Sequence, residues 1–320
     1  HVYPGIAVAR RFLARCPGTA ILFVGHTGGL EERLLAREGL PLTTVTAQAL
    51  KGRSRLAQLR ALGALGIGTL QALQILRRWR PHLVLGAGGY VTGPVILAAA
   101  LWRIPRVLME QNLVPGLTVR GLARYVQRVL TSCGGSQGGH RLNQAMIEAA
   151  PGLAVYQPHL RLLHQTGEAD YAEVTAAYAR AGLQAEVHPF LHDMAERYRW
   201  ADLVLCRAGA STLAELTTCG KPAILVPYPY AADNHQRHNA LAMERQGAAQ
   251  VLADAELTGA RLCEVLQALL EAPEVLSQQA VQSQRLGRPE AADTIVTVCL
   301  QLLGRAPAEH GTALQDVHHA

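Results

Sequence analysis

Short apolar runs recur along the chain at regular intervals. They fall at Ala20–Val24, Pro41–Val45, His82–Leu85, Arg106–Met109, Arg128–Ser132, Leu160–Gln165, Ala185–Phe190, Ala201–Leu205, Lys221–Pro227 and Gln250–Leu252. Each is the length of a buried strand and is bounded by glycine, proline or polar residues. Between them the apolar residues are spaced as on one face of a helix, at Ile6–Leu13, Leu30–Glu38, Asp170–Ala181, Ala260–Leu270 and Glu290–Leu303. A longer stretch carries Leu62, Leu65, Leu73 and Leu76 on one face and closes on Arg77-Arg78-Trp79-Arg80. Strand alternating with helix predicts an α/β fold with doubly wound parallel sheets.

In such folds ligands bind where strands give way to helices. The sharpest such turn is Cys206-Arg207-Ala208-Gly209-Ala210-Ser211-Thr212-Leu213-Ala214-Glu215, between the run ending at Leu205 and a helix closed by Gly220. Unpaired N–H groups at a helix start, at the positive end of the macrodipole, suit an anion such as phosphate. Thr212-x-x-Glu215 is also a capping box, and a cap alone explains that pair. The next strand runs into Asp233-Asn234-His235-Gln236, a polar loop opening another helix. Upstream, Gly86-Ala-Gly88-Gly89-Tyr90 follows a strand without matching the dinucleotide-binding spacing, Glu110-Gln111-Asn112 ends another, and Cys133-Gly134-Gly135-Ser136-Gln137-Gly138-Gly139 opens the helix from His140. That last glycine turn is a second candidate phosphate nest.

Composition narrows the class. The 320 residues suffice for two cored domains, and 49% hydrophobic with 5% aromatic residues fits a helix-rich α/β protein. A net charge of +6 and a pI near 9.2 favour an anionic partner, whether nucleic acid, phosphorylated substrate or anionic membrane. The six cysteines show no C-x-x-C spacing, which argues against a zinc or redox motif and for reduced thiols. No acidic pair has metal-ligand spacing, which agrees with a site that uses no metal, and no cofactor is expected. No apolar stretch reaches the ~20 residues of a membrane span. The long helix with its arginines and Trp79 reads either as a core helix with a basic C-terminal turn or as a peripheral contact with an anionic surface. The first residue is His1, so the natural amino terminus is expected upstream, and the His-bearing tail 306–320 is expected to be disordered.

Gly88-Gly89-Tyr90, Glu110-Gln111-Asn112, Gly134-Gly135-Ser136-Gln137-Gly138, the stretch at Arg207 and Asp233-Asn234-His235-Gln236, in that order, resemble the MurG family of bacterial glycosyltransferases. The resemblance runs from His1 to about Leu303. It implies two Rossmann-like domains facing a cleft, the arrangement called GT-B: an acceptor and membrane-facing domain over 1–132 and a UDP-sugar-binding domain over 133–305. The implied reaction moves N-acetylglucosamine from UDP-N-acetylglucosamine to a lipid-linked muramoylpentapeptide on the cytoplasmic face of the cell membrane, with an anionic membrane surface as partner and no nucleic acid.

Residue by residue, the resemblance makes Glu215 the ribose ligand and Leu191 the backbone reader of uracil. Ser136 and the turn Ala210, Ser211, Thr212, Leu213 and Ala214 would hold the phosphates. His235 and Gln236 would meet the sugar hydroxyls, with Asn112 near the transferred sugar. Gly88, Gly89 and Tyr90 would face the acceptor, and His1 would be the general base. Two departures stand out. The family's first strand and glycine loop are missing before His1, and one strand, Arg128–Ser132, stands where the family has two with a donor-binding arginine between them. That strand is expected in the carboxyl-terminal sheet. Two other readings stay open: a UDP-N-acetylglucosamine epimerase, and a relative that binds UDP-sugar without transfer.

Overall fold

The computed structural model describes residues 2–26, 30–47, 55–110, 128–131, 139–157 and 160–304. The chain divides into two compact units, one mainly Val2–Leu108 and the other mainly Thr131–Pro289.

The amino-terminal unit opens with helix α1 (Val2–Arg15), followed by β1 (Phe23–Gly25), α2 (Leu30–Arg37), β2 (Leu42–Thr44), α3 (Arg55–Trp79), β3 (Val84–Gly86), α4 (Thr92–Leu101), β4 (Arg106–Glu110) and β5 (Arg128–Thr131). Strands β1 and β2 pair in parallel, and β3, β4 and β5 form a second ladder in that order. The β3–β4–β5 order corrects the expectation for Arg128–Ser132, because the strand lies beside β4 rather than in the carboxyl-terminal sheet. The open edge of β4 is the neighbour next in sequence, and consecutive strands usually lie side by side. Gly5 of α1 sits against the ring of Phe23 on β1 and near Ala87 just past β3. Helix α3 packs along α4 and buries Ala64, Ala72 and Leu76, while Ile67 and Leu70 stay more than half exposed.

The carboxyl-terminal unit holds α5 (His140–Ala154), β6 (Leu162–Gln165), α6 (Tyr171–Ala181), β7 (Ala185–His188), α7 (Met194–Trp200), β8 (Val204–Cys206), α8 (Ala210–Thr218), β9 (Ala223–Leu225), α9 (His235–Arg245), β10 (Ala249–Val251), α10 (Gly259–Leu270) and α11 (Pro273–Leu286). All its described pairings are parallel: β6 with β7, and β9 between β8 and β10. Side chains of a strand point alternately to opposite faces, and the β9 run shows what that does here. Ile224 and Val226 join a core with Met146, Leu153, Tyr178 and Leu262, while Ala223 and Leu225 join another with Tyr198, Leu213, Leu216 and Met243. Both faces of the strand are therefore covered by helices, as an apolar strand without polar alternation requires.

A last helix, α12 (Ala291–Leu302), packs on α1 and belongs with the amino-terminal unit, whereas the sequence reading ran the second domain to residue 305. Arg11 Nε bonds Asp293 Oδ1 at 2.6 Å, and Arg15 bonds the Thr297 hydroxyl at 2.7 Å. The guanidinium of Arg11 holds the Asp293 carboxyl below its ordinary pKa.

Ile224 is wholly buried in the middle of its sheet. Ile224→Ala should cost about 2–5 kcal/mol, read as a lower urea midpoint with unchanged slope.

Candidate functional site

Strand β8 ends at Cys206, and the chain reaches α8 through Arg207-Ala208-Gly209. The helix begins at Ala210, with Gly209 as its extended N-cap and no side chain capping it. Thr212 therefore lies inside the first turn and not at the cap. Glu215 accepts instead from the hydroxyl of Tyr198 on α7, Oη to Oε2 at 2.9 Å. The capping-box reading fails on this geometry, because the helix starts three residues before the box would place it. Glu215 keeps exposed surface, yet the protein packed around its carboxyl raises its pKa, with the Tyr198 hydrogen bond pulling the other way. Cys206 lies beneath, and burial together with the Glu215 charge pushes its thiol up to about 12. Cys16, Cys206, Cys219, Cys263 and Cys299 are free thiols.

Arg207 gathers the neighbouring strand ends. Its Nη1 bonds Asp254 Oδ1 at 2.5 Å and the Val226 carbonyl at 3.3 Å. Its Cζ stands 5.6 Å from the centre of the Tyr228 ring, a cation–π contact. The same guanidinium lies against Gly139, the N-cap of α5, where an added Cβ would come within 2.8 Å of Nε. Only a glycine admits the arginine so close to that helix start. Arg141 in the first turn of α5 reaches the other oxygen of Asp254 at 3.4 Å.

The loop after β9 is set by its own polar residues. Asp233 and Asn234 both adopt the left-handed backbone conformation, φ 53°, which their short side chains tolerate better than most. They turn the chain into α9, whose first two residues are His235 and Gln236. Gln236 Oε1 accepts the backbone N–H of Tyr228 at 2.9 Å, which leaves its amide NH₂ as the donor for other partners. Leu191, past the end of β7, is buried and donates its own N–H to Gln165 Oε1 at 2.9 Å.

In the other unit, Gly88 and Gly89 take positive φ values of 90° and 80° between β3 and α4. The Thr92 hydroxyl bonds the Gly88 carbonyl at 2.6 Å, and Tyr90 is exposed. His1, Asn112 and Ser136 lie outside the described residues, as does the tail from 305. Within the carboxyl-terminal unit Leu191, the turn from Ala210 to Glu215, His235 and Gln236 all sit at or just past the carboxyl ends of parallel strands. Sequence reasoning missed Tyr198, Asp254 and Asp170. They act through partners far along the chain, so no local spacing marks them. Among the described residues no group of His, Cys, Asp and Glu is arranged to hold a metal ion.

A buried polar cluster supports the start of α5. Asn143 donates to the Thr166 carbonyl at 2.9 Å and to Asp170 Oδ2 at 2.6 Å. Its Oδ1 lies 3.0 Å from His164 Nε2, and His164 Nδ1 lies 2.7 Å from the Tyr178 hydroxyl. Burial lowers the His164 pKa to about 4 against the pull of Asp170. Burial works to raise the pKa of Asp170, but hydrogen bonds from Asn143 and His140 hold it below its ordinary value.

Parallel α/β units with anion-suited helix starts at their strand ends are a general nucleotide-binding architecture, and the family and structural matches place this chain among the GT-B glycosyltransferases. A model of the glycosyltransferase family 28 N-terminal domain matches residues 1–131, and one of the family 28 C-terminal domain matches 129–295. The chain belongs to glycosyltransferase family 28. Among its relatives, a protein of Geobacter sulfurreducens is 40% identical over 341 residues, covering 92% of this chain and 94% of the relative. One of Geotalea uraniireducens is 41% identical over 341 residues, covering 92% and 93%. Both are named UDP-N-acetylglucosamine--N-acetylmuramyl-(pentapeptide) pyrophosphoryl-undecaprenol N-acetylglucosamine transferase. The crystal structure of Acinetobacter baumannii MurG superposes with a TM-score of 0.78 at 29% identity, covering 94% of this chain and 96% of that one. A putative UDP-N-acetylglucosamine 2-epimerase from Listeria monocytogenes reaches 0.66 at 12% identity, covering 98% and 96%, which speaks to fold alone. The matches over 341 positions use 92% of a 320-residue chain, so part of those relatives has no counterpart here. The two family models overlap on 129–131, within β5.

His164 supplies a testable acid sensitivity. Its folded pKa lies below that of an ordinary imidazole, so its contribution is full above about pH 6.5 and is lost as pH falls toward about 4. Stability should drop across that window by at most about 3 kcal/mol more in the natural chain than in His164→Gln. Urea titrations of both proteins at stepped pH measure it.

Proposed function

We propose that this chain transfers N-acetylglucosamine from UDP-N-acetylglucosamine to the undecaprenyl-diphosphate-linked muramoylpentapeptide, the reaction its relatives' names describe. The observation that carries the reading is identity of about 40% along nearly the whole length of named transferases. The order of strand-end motifs in the carboxyl-terminal unit supports it. Likeness to epimerases rests on fold alone.

In this reading the donor lies on the carboxyl-terminal unit. Glu215 receives the ribose hydroxyls on the oxygen positions that Tyr198 leaves, and Tyr198 fixes the carboxylate for them. Leu191 offers its carbonyl to the uracil N–H, since its own N–H goes to Gln165. Gln236 offers its amide NH₂ to sugar hydroxyl oxygens, since its carbonyl holds Tyr228. His235 begins the same helix and would join Gln236 there, and Asn112 would be the residue near the transferred sugar.

Negative charge grows on the departing diphosphate as the glycosidic bond breaks. Ser136 with its neighbouring amides, and the start of α8 at Ala210–Ala214, would oppose that charge with fixed N–H dipoles. Attack needs the muramoyl hydroxyl to lose a proton, and His1 is the proposed base. Gly88, Gly89 and Tyr90 would meet the acceptor on the amino-terminal unit.

The enzyme would work as a peripheral protein on the cytoplasmic face of the membrane. No described helix is long and apolar enough to cross one. Exposed Ile67, Leu70 and Trp79 on α3, with Arg77 and Arg78 in its last turn, suit an anionic interface.

The direct test is lipid II formation by this chain from labelled UDP-N-acetylglucosamine and lipid I. Absence of product from folded protein that binds the donor would leave a nucleotide-sugar binder instead.

Glu215→Gln should weaken UDP binding about tenfold or more without lowering stability at neutral pH, because the natural carboxyl is held above its ordinary pKa. Calorimetry with UDP, beside GDP and ADP as controls, reads this. Unchanged UDP affinity would remove Glu215 from the site.

Anionic vesicles should sediment the protein at low salt and release it as salt rises, since exposed charge pairs are screened over about 10 Å at 0.1 M. Replacing Ile67 and Leu70 by Ser should weaken that binding. Sedimentation indifferent to both would argue against this surface.

A further inference from the structure

Helix α5 opens on His140, directly after Gly139. Although exposed, the imidazole is held, with Nδ1 at 2.9 Å and 3.0 Å from the two oxygens of Asp170. Behind Asp170 the chain of bonds runs through Asn143 and His164 to Tyr178. Only one arrangement of hydrogens satisfies it. The amide oxygen of Asn143 accepts, so His164 carries its hydrogen on Nε2, and Nδ1 accepts from Tyr178. Asp170, an acceptor, takes N–H from Asn143 and from His140 Nδ1. The ring nitrogen of His140 left for another partner is therefore Nε2.

A second feature lies at the same helix start. The side chain of Arg207 is only 9% exposed, and its Nε, packed against Gly139, has no hydrogen-bond partner among the described residues. A buried N–H without an acceptor is costly, and at the positive end of a helix it marks a place for an anion.

We propose that His140 is a donor-binding residue, which in its protonated form, with Nδ1 pinned by Asp170, gives Nε2–H to the diphosphate at the start of α5 beside Arg207. The assignment rests on the UDP-sugar reading of this unit and adds to it a residue and a pH dependence. The charged and titratable groups around the ring are Asp170 at the cap of α6, Glu173 on α6 bonded to Gln144, His164 on β6, Arg141 on α5, and Arg207 with Asp254. His164 is held neutral by burial above about pH 4. Carboxylates and guanidinium groups as classes keep their charge between about pH 6 and 8.5, whereas an imidazole changes its own there.

The experiment is calorimetric titration of the full chain with UDP-N-acetylglucosamine, whose diphosphate diester does not titrate in this range, and separately with uridine. Natural protein, His140→Gln and His140→Arg are compared at about pH 6 and about pH 8.5. The natural chain should bind the UDP-sugar about tenfold more tightly at the lower pH, the strength of one charge-assisted hydrogen bond. His140→Gln should lose that gain and match the natural chain at the higher pH. His140→Arg should bind tightly at both, and uridine should bind all three alike.

Equal UDP-sugar affinity of His140→Gln and the natural chain at both pH values overturns the proposal. So does a loss shared equally by uridine, which would mark a structural role. If the natural chain binds neither ligand, the donor-site reading itself falls, and this one with it.

Discussion

The buried pair of Arg207 and Asp254 is the interaction on which the carboxyl-terminal unit's strand ends depend. A guanidinium taken out of water is costly unless its charge and most of its N–H groups are matched. Arg207 is matched by residues from separate segments: Asp254 after β10, the Val226 carbonyl after β9, and the face of Tyr228. The turn after β8 supplies the arginine itself, and Gly139 brings the start of α5 against it. Removing Asp254 would strand a buried cation and loosen all of these segments together. The pair is thus better understood as fixing geometry than as a store of stability, since buried ion pairs often add little net energy.

Much of the fold was legible because its causes are local. An apolar strand covered on both sides reads as a continuous run, and β9 is such a run, with successive side chains feeding two cores. The positions of the glycine turns were legible for the same reason. Helix α11 escaped the sequence reading because little of it is apolar. It meets α8 at Ser283, whose hydroxyl reaches the Leu216 carbonyl, and at Gln284 beside Gly220, while Leu276 and Leu286 pack against the cores, too few to set a clear hydrophobic period. The placement of β5 escaped because nothing in a five-residue apolar run says which of two sheets has the free edge. Both family models claim residues 129–131 of that run, which is the same ambiguity at the level of sequence.

The candidate site divides along the same line. Residues that act through the backbone or their own turn, such as Gly209, Asn234 and Gln236, could be found from spacing. Those that act by holding another side chain could not. Thr212 and Glu215 have the spacing of a capping box, but the helix start is set by the length of the turn from β8, which puts Gly209 at the cap. Glu215 is then free to meet Tyr198, whose hydroxyl arrives from a helix 17 residues upstream. A local pattern was overridden by a tertiary contact, and such overrides concentrate where function constrains the chain.

The charge balance around α5 shows why acidic residues belong beside an anion's place. Arg141 and Arg207 share one carboxylate, Asp254, so that group keeps a net positive charge next to the helix start. Asp254 gives up some attraction for the ligand, but it fixes the two cations before the ligand arrives, and preorganisation lowers the ordering cost of binding. Asp170 does the same for His140, with one difference. It holds an imidazole in place of a guanidinium, the one side-chain class whose ordinary charge can change between about pH 5 and 8. The two aspartates thus fix basic side chains of different kinds at one helix end, a guanidinium at Arg207 and an imidazole at His140.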